Sequence, residues 1–115
     1  MTKKAPKKGD VVLIDFDPQA GHEQAGHRPG LVITTKAFNA KTGFAFICPI
    51  TNQSKGYPFE VTVEGTQRTT GVILVDQLKS LDWVARSVKS VDSVSIECLQ
   101  KVVDLSALIL SADES

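Results

Sequence analysis

Cysteine is scarce: Cys48 and Cys98 are the only two in 115 residues. That excludes a disulfide framework, and the pair has no metal-ligand spacing, so no metal is expected and the reducing cytoplasm is the expected compartment. Net charge is also missing, because thirteen Lys and Arg balance thirteen Asp and Glu. Nucleic acid therefore cannot be held by bulk charge alone, although a local basic groove stays possible. No apolar run approaches the roughly 18 residues of a membrane span. The Lys-rich opening, Met1 to Asp10, leads into no apolar stretch of the kind a secretory signal carries. Internal repeats and low-complexity tracts are absent as well.

What remains is ordinary globular composition, 42% hydrophobic and 23% charged, enough for one domain over residues 1–115. A chain of this size buries roughly two thirds of its unfolded surface, so its stability is modest and a partner subunit would add to it. Charge is unevenly placed. Residues 1–60 hold eight Lys or Arg against five Asp or Glu, and residues 61–115 hold five against eight. Within 18–57, Arg28, Lys36, Lys41 and Lys55 face only Glu23. An anionic ligand is met mainly by the first half of the chain.

Most segments read as short strands. Val11 to Phe16 is β-branched and apolar, and Asp17-Pro18 stops it. Leu31 to Thr35, Phe44 to Ile50 and Phe59 to Val63 follow as strands. Lys36 to Gly43 reads as a polar turn with at most one helical turn. Glu64 to Thr70 reads as a hairpin turn, Gly71 to Leu81 as a strand bent near Asp76, and Ser87 to Val91 as a further short strand. The period then changes. Ser95 is an N-cap with Glu97 in the first turn, and Val94 and Leu99 have the spacing of a hydrophobic staple. Leu99, Val102, Val103, Ser106 and Leu110 mark one face of a helix over 95–110. Residues 1–8 are expected to be basic and flexible, and 112–115 frayed. Short strands with one closing helix predict a mainly β protein, a small curved antiparallel barrel.

The loop after the first strand, Asp17 to Pro29, is the densest in chemistry. It reads DPQAGHEQAGHRP, with glycines bracketing His22 to Ala25. Glu23 can serve as a general base, and His22 or His27 as acid or base near neutral pH. Arg28 can hold a phosphate with two hydrogen bonds and stabilise charge developing on it. A polar surface loop with an Arg28–Glu23 ion pair fits the same composition. His22 and His27 have no third partner at a recognisable zinc spacing.

The stretch GDVVLIDFDPQAGHEQAGHRPGLVI closely resembles the opening of the MazF/PemK family, the toxins of type II toxin–antitoxin pairs. The resemblance continues through CPITNQSKGYPFEV, whose TNQSKGYPFE block has the MazF form, and GVILVDQLKSLDWVAR, covering about residues 9–86. It implies a small SH3-like barrel of the CcdB/MazF/PemK plasmid-maintenance-toxin type. It further implies a cytoplasmic homodimer that cuts single-stranded RNA at short sequences without a metal or other cofactor. The ribose 2′-OH would attack the adjacent phosphorus, leaving a 2′,3′-cyclic phosphate and a 5′-hydroxyl. On this resemblance Glu23 is the base or the orienter of Arg28, Arg28 stabilises the phosphorane, and the Thr51 hydroxyl binds a phosphate oxygen.

His22 and Asp76 are secondary catalytic candidates, because they match a His and an Asp that carry the chemistry in the PemK-like branch. Leu74 stands where that branch has its Arg, so a mechanism resting on that Arg is not available here. His27, Asn39, Gln53, Lys55 and Gln77 are the expected RNA contacts. Phe16 is able to stack on a base and equally suits the core. A cognate MazE-like antitoxin would cover the RNA groove with an acidic C-terminal segment. Two other readings are a gyrase-poisoning toxin of the same fold and a non-catalytic SH3-like binding module.

Overall fold

The structure, a computed structural model, describes residues 4–17, 21, 26–111 and 113. Strand β1 (Asp10–Asp15) pairs antiparallel with β2 (His27–Val32), Val11 facing Leu31 and Asp15 facing His27. β2 thus starts four residues earlier than its apolar run suggests, and takes in Arg28 and Pro29. The missing Pro29 N–H would point toward the β3 side, where the ladder begins only at Gly30 and Pro49, so no bond is lost.

Helix α1 (Lys36–Thr42) is longer than the single turn expected. The Thr35 hydroxyl accepts from the Phe38 amide at its start, and Gly43, at φ 75°, donates its N–H to the Asn39 carbonyl at its end. β3 (Phe44–Thr51) then runs through the middle of the sheet.

β4 (Glu60–Thr62) and β5 (Val72–Leu74) form the expected hairpin. β5 continues through a 3₁₀ turn, Val75–Gln77, into β6 (Lys79–Asp82). β5 and β6 both pair with β3, Ile50 facing Ile73 and Ile47 facing Lys79. Three steps along β3 are therefore matched by six along its partner. The surplus is the 3₁₀ turn, which leaves Asp76 exposed and Gln77 half-buried. This is the bend the sequence places near Asp76. β7 (Lys89–Ser93) closes the edge beside β1, and α2 (Ile96–Leu110) ends the chain.

The seven-stranded sheet has the order β4-β5-β3-β2-β1-β7, with β6 also on β3. It curls without closing, and side chains bridge the seam. Asp92 on β7 accepts the backbone amides of Gln67, Arg68 and Thr69 from the β4–β5 connection at 2.9–3.0 Å, and the Thr69 hydroxyl at 3.0 Å. These amides, that of Gln67 first, hold its carboxyl well below the usual carboxylate range. The Ser95 amide adds a bond to the Glu64 carbonyl.

Alternate strand residues feed two cores. Val11, Leu31, Cys48, Ile50 and Ile73 pack under Cys98 and Val102 of α2. Val12, Ile14, Phe16, Val32 and Ile47 pack with Leu81 and Trp83 on the other face. Ser95 caps α2 by accepting from the Cys98 amide at 3.1 Å, and Val94 and Leu99 rest on the first core as a staple requires. The helix turns Cys98, Val102 and Ser106 inward, but Leu110 is 74% exposed, because the last turn runs past the sheet. Residues 112, 114 and 115 lie outside the described set. Among the described residues no helix is long and apolar enough to cross a membrane.

Candidate active site

β2 and β3 bring two of the expected catalytic residues to one end of the sheet. Their register pairs Val32 with Ile47 and Gly30 with Pro49. Carried two residues past its last pair, it sets Arg28 opposite Thr51, and directly opposed residues of antiparallel strands share a face. Thr51 is buried and its Oγ1 accepts from the Gln53 amide at 3.1 Å. Among the described residues its hydroxyl proton has no acceptor, so it is available to a bound anion. Gly71 packs against it: a Cβ there would come within 2.4 Å of the Thr51 carbonyl oxygen, at a φ of +117°. Only glycine fits this approach without moving Thr51.

A groove of about 370 Å³ opens beside Thr51. Gln53, Lys55 and Tyr57 line one side, and Asp76 and Gln77 of the 3₁₀ turn line the other. The Gln53–Tyr57 segment has no regular structure, yet it is fixed from below. Glu60 accepts the Ser54 hydroxyl at 2.7 Å and the Lys55 and Gly56 amides at 2.9 and 3.1 Å. The Lys55 amide, ahead of the Ser54 hydroxyl, holds its carboxyl below its ordinary value. The Tyr57 hydroxyl donates to Asp76 Oδ2 across the groove, and this bond raises the phenol to about 12. Tyr57 therefore stays a neutral donor at every working pH. Its ring meets Phe59 edge to face at 5.9 Å.

Glu23 and His22 lie outside the described residues. The neck of the loop that carries them is built from Asp17, Gly26 and Arg86. The Gly26 amide donates to Asp17 Oδ1 at 2.9 Å, and the Phe16 amide to the Gly26 carbonyl at 3.0 Å. The Arg86 guanidinium donates to the carbonyls of Asp15 and Asp17 at 2.6 and 2.7 Å. His27 is exposed at the start of β2.

Asn39 does not join the groove. It is fully buried, its amide donates to the Pro6 and Thr34 carbonyls at 3.0 and 3.1 Å, and its carbonyl oxygen Oδ1 accepts from Thr34 at 2.5 Å. Trp83 Nε1 donates to the Asn39 backbone carbonyl at 2.8 Å. Asn39 thus holds the second core and the N-terminal arm together and has no edge left for a base. Phe16, 1% exposed, is core. Cys48 is buried, and desolvation pushes its thiol up to about 12, so it is no nucleophile at neutral pH.

Three residues that the sequence left unassigned shape the site: Glu60, Tyr57 and Arg86. None belongs to the chemically dense loop; Tyr57 and Arg86 act on segments distant in sequence, and Glu60 acts on an irregular segment four to six residues before it, whose shape no periodic pattern marks.

The Thr51 hydroxyl, Lys55 and two amide side chains share one groove of a curled, unclosed sheet, with Arg28 on the neighbouring strand β2, and together they offer an anion hydrogen-bond donors and positive charge. The profile of PemK-like, MazF-like toxins of type II toxin–antitoxin systems matches residues 7–111, and the chain belongs to that family. The endoribonuclease toxin MazF of Escherichia coli (strain K12) is 46% identical over 102 residues, covering 89% of this chain and 91% of that protein. The endoribonuclease PemK of Escherichia coli is 35% identical over 113 residues, covering 95% and 85%. The crystal structure of MazF from Deinococcus radiodurans matches with a TM-score of 0.88 at 40% identity, over 94% of this chain and 98% of that one. A chain from the MazE–MazF complex of the same organism matches at 0.83 and 39% identity, over 96% and 100%.

Proposed function

We propose that this chain is the endoribonuclease toxin of a type II toxin–antitoxin pair, cutting single-stranded RNA at a short sequence by attack of a ribose 2′-OH on the adjacent phosphorus. Attack forms the bond from the 2′ oxygen to phosphorus and breaks the bond to the 5′ oxygen. The products are a 2′,3′-cyclic phosphate and a 5′-hydroxyl. Glu23 takes the 2′ proton or orients Arg28. Arg28 neutralises the extra charge of the phosphorane, where a guanidinium is worth most, and the Thr51 hydroxyl donates to a non-bridging oxygen. A guanidinium is a poor proton donor, so the leaving oxygen takes its proton from His22 or from water. Every step is assigned to these side chains, with no metal or cofactor.

Gln53 and Gln77 both line the groove and suit the edges of splayed bases, with Lys55 and His27 on flanking phosphates. Asp76 spends an oxygen on Tyr57, so its part is to hold the groove rather than to move a proton. What supports this reading most is the groove beside Thr51, lined by Gln53, Lys55 and Gln77, together with a β2–β3 register that, continued past its last pair Gly30–Pro49, brings Arg28 opposite Thr51. A gyrase poison or a simple binding module needs no such pairing, and the curated relatives are named endoribonucleases.

The working form is a cytoplasmic homodimer with two equivalent sites. Apolar side chains left exposed at the end of α2, Leu108 and Leu110, are consistent with a partner surface. The antitoxin would be a MazE-like protein whose acidic C-terminal segment takes the place of RNA phosphates.

The test is incubation of the purified protein with a long single-stranded RNA in excess EDTA, with the new ends mapped and typed. Discrete cuts bearing 5′-hydroxyl and cyclic-phosphate ends are expected. No cleavage by folded protein, or cuts bearing 5′-phosphates, would overturn the reading.

A further inference from the structure

A second hollow, of about 590 Å³, lies away from the groove beside Thr51. Lys4 and Lys7 reach it from the N-terminal arm, Lys36 from the start of α1, and Asp10, Val88 and Ser90 from β1 and the approach to β7. Three lysines line it in a chain with no net charge. The single carboxylate among them is occupied: Asp10 Oδ2 accepts the Lys7 amide at 2.9 Å and the Ser90 hydroxyl at 3.0 Å.

The lysines are not on a loose tail. The arm, which the sequence suggests is flexible, is described from Lys4 onward, with Pro6 buried and Ala5 packed on the second core. Asn39 is spent on it, its buried amide donating to the Pro6 carbonyl, and the Gly9 amide donates to the Val32 carbonyl at 2.8 Å. With the backbone of the arm already fixed, only the lysine side chains lose freedom when an anion binds.

Among the described residues no aromatic ring and no amide side chain lines this hollow. It offers charges and hydroxyls, the groups that grip phosphate and read no base. An acidic peptide would want apolar anchors, and only Ala5 and Val88 supply them. Its place fits a long strand. Gly9 meets Val32 at one end of β2 and Arg28 stands at the other, four steps or roughly 13 Å away.

We propose that this hollow is a second, non-catalytic binding surface for the phosphodiester backbone of single-stranded RNA outside the cut sequence. The proposal rests on the endoribonuclease reading above. It makes long RNA a better substrate than a minimal oligonucleotide, through KM and in a salt-dependent way.

The test compares wild type with the triple variants Lys4→Glu/Lys7→Glu/Lys36→Glu and Lys4→Gln/Lys7→Gln/Lys36→Gln, each matched in melting temperature. Substrates are a long RNA and a short oligonucleotide holding one mapped cut site. The Glu variant is expected to raise KM for long RNA about tenfold, and to flatten the slope of log affinity against log salt by roughly two for three lost phosphate contacts. The Gln variant moves the same way by less. The oligonucleotide's kcat/KM stays unchanged in both.

Unchanged KM and salt slope on long RNA would overturn the proposal while leaving the nuclease reading intact. Loss of affinity for an acidic antitoxin segment, with RNA binding untouched, would overturn it in favour of a peptide surface. Failure of wild type to cut either RNA would refute the nuclease reading itself.

Discussion

At the scale of single residues, the site is organised by side chains that accept more than by side chains that react. Glu60 gathers three donors from the segment that carries Lys55, and Asp76 takes the Tyr57 hydroxyl from the far end of it. Both carboxylates line the groove, yet both spend oxygens on the protein. This separates two roles for Asp76. If it holds Tyr57, then Tyr57→Phe and Asp76→Asn cut the same bond. Each should cost about 1 kcal/mol of stability and raise KM while largely sparing kcat. The double variant should be little worse than either single one, a coupling that thermal melts and steady-state kinetics would measure. If Asp76 moved a proton instead, Asp76→Asn would collapse kcat and Tyr57→Phe would not.

Residue chemistry was also where sequence reading erred. Asn39 has the right functional groups for a base edge. Whether it faces RNA or the core depends on how α1 lies against Thr34, Pro6 and Trp83, which are distant in sequence or belong to other elements. A helix as short as Lys36–Thr42 shows too few turns for periodicity to reveal its buried face. Arg86 escaped notice for the same reason, its partners Asp15 and Asp17 lying far away in sequence.

At the scale of elements, caps and breaks were legible and pairings were not. Ser95, the Val94–Leu99 staple and the apolar spacing of α2 are local signals, and the helix follows them from Ile96. The bend at Asp76 was legible because the apolar run of β5 gives way to polar residues there. β2 was the harder case. Its first residues, His27, Arg28 and Pro29, have loop composition and become strand only because β1 pairs with them. The β2–β3 register, continued past Gly30 and Pro49, then brings Arg28 opposite Thr51. From composition alone, Glu23, Arg28 and Thr51 could not be joined; the family resemblance joined them first.

The seam between β7 and the β4–β5 connection depends on Asp92. Its carboxyl is held below its unfolded value near 3.9, so ionised Asp92 favours the folded state. That contribution is complete above about pH 5 and is lost as pH falls toward the folded-state value. Asp92→Asn should lower stability by about 1 kcal/mol at pH 7, solvent screening allowed for. The gap between variant and wild type should begin to narrow below about pH 4. Melting temperatures taken from pH 7 down to pH 3 would check this; a gap independent of pH would assign the loss to shape rather than charge.

At the scale of the whole molecule, the two proposed surfaces draw on different parts of one curled sheet. One gathers Arg28, Thr51 and the groove of Gln53, Lys55 and Gln77. The other gathers Lys4, Lys7 and Lys36 around a pinned arm. Between them lie two apolar cores fed by alternate residues of the same strands, so each site rests on packed structure. A neutral chain can in this way present separate cationic surfaces, which the overall charge balance conceals. The exposed apolar end of α2 adds a reason for a second subunit.

The catalytic claim rests on Arg28. The decisive measurement is the single-turnover cleavage rate of Arg28→Ala on an RNA that wild type cuts, at saturating protein. Circular dichroism and sedimentation would establish that the variant keeps its fold and oligomeric state. Loss of a preorganised charge on the phosphorane should slow cleavage by about 10²–10³ or more, with RNA binding weakened far less. Cleavage by a folded Arg28→Ala at the wild-type rate would contradict it and move the chemistry elsewhere on the molecule.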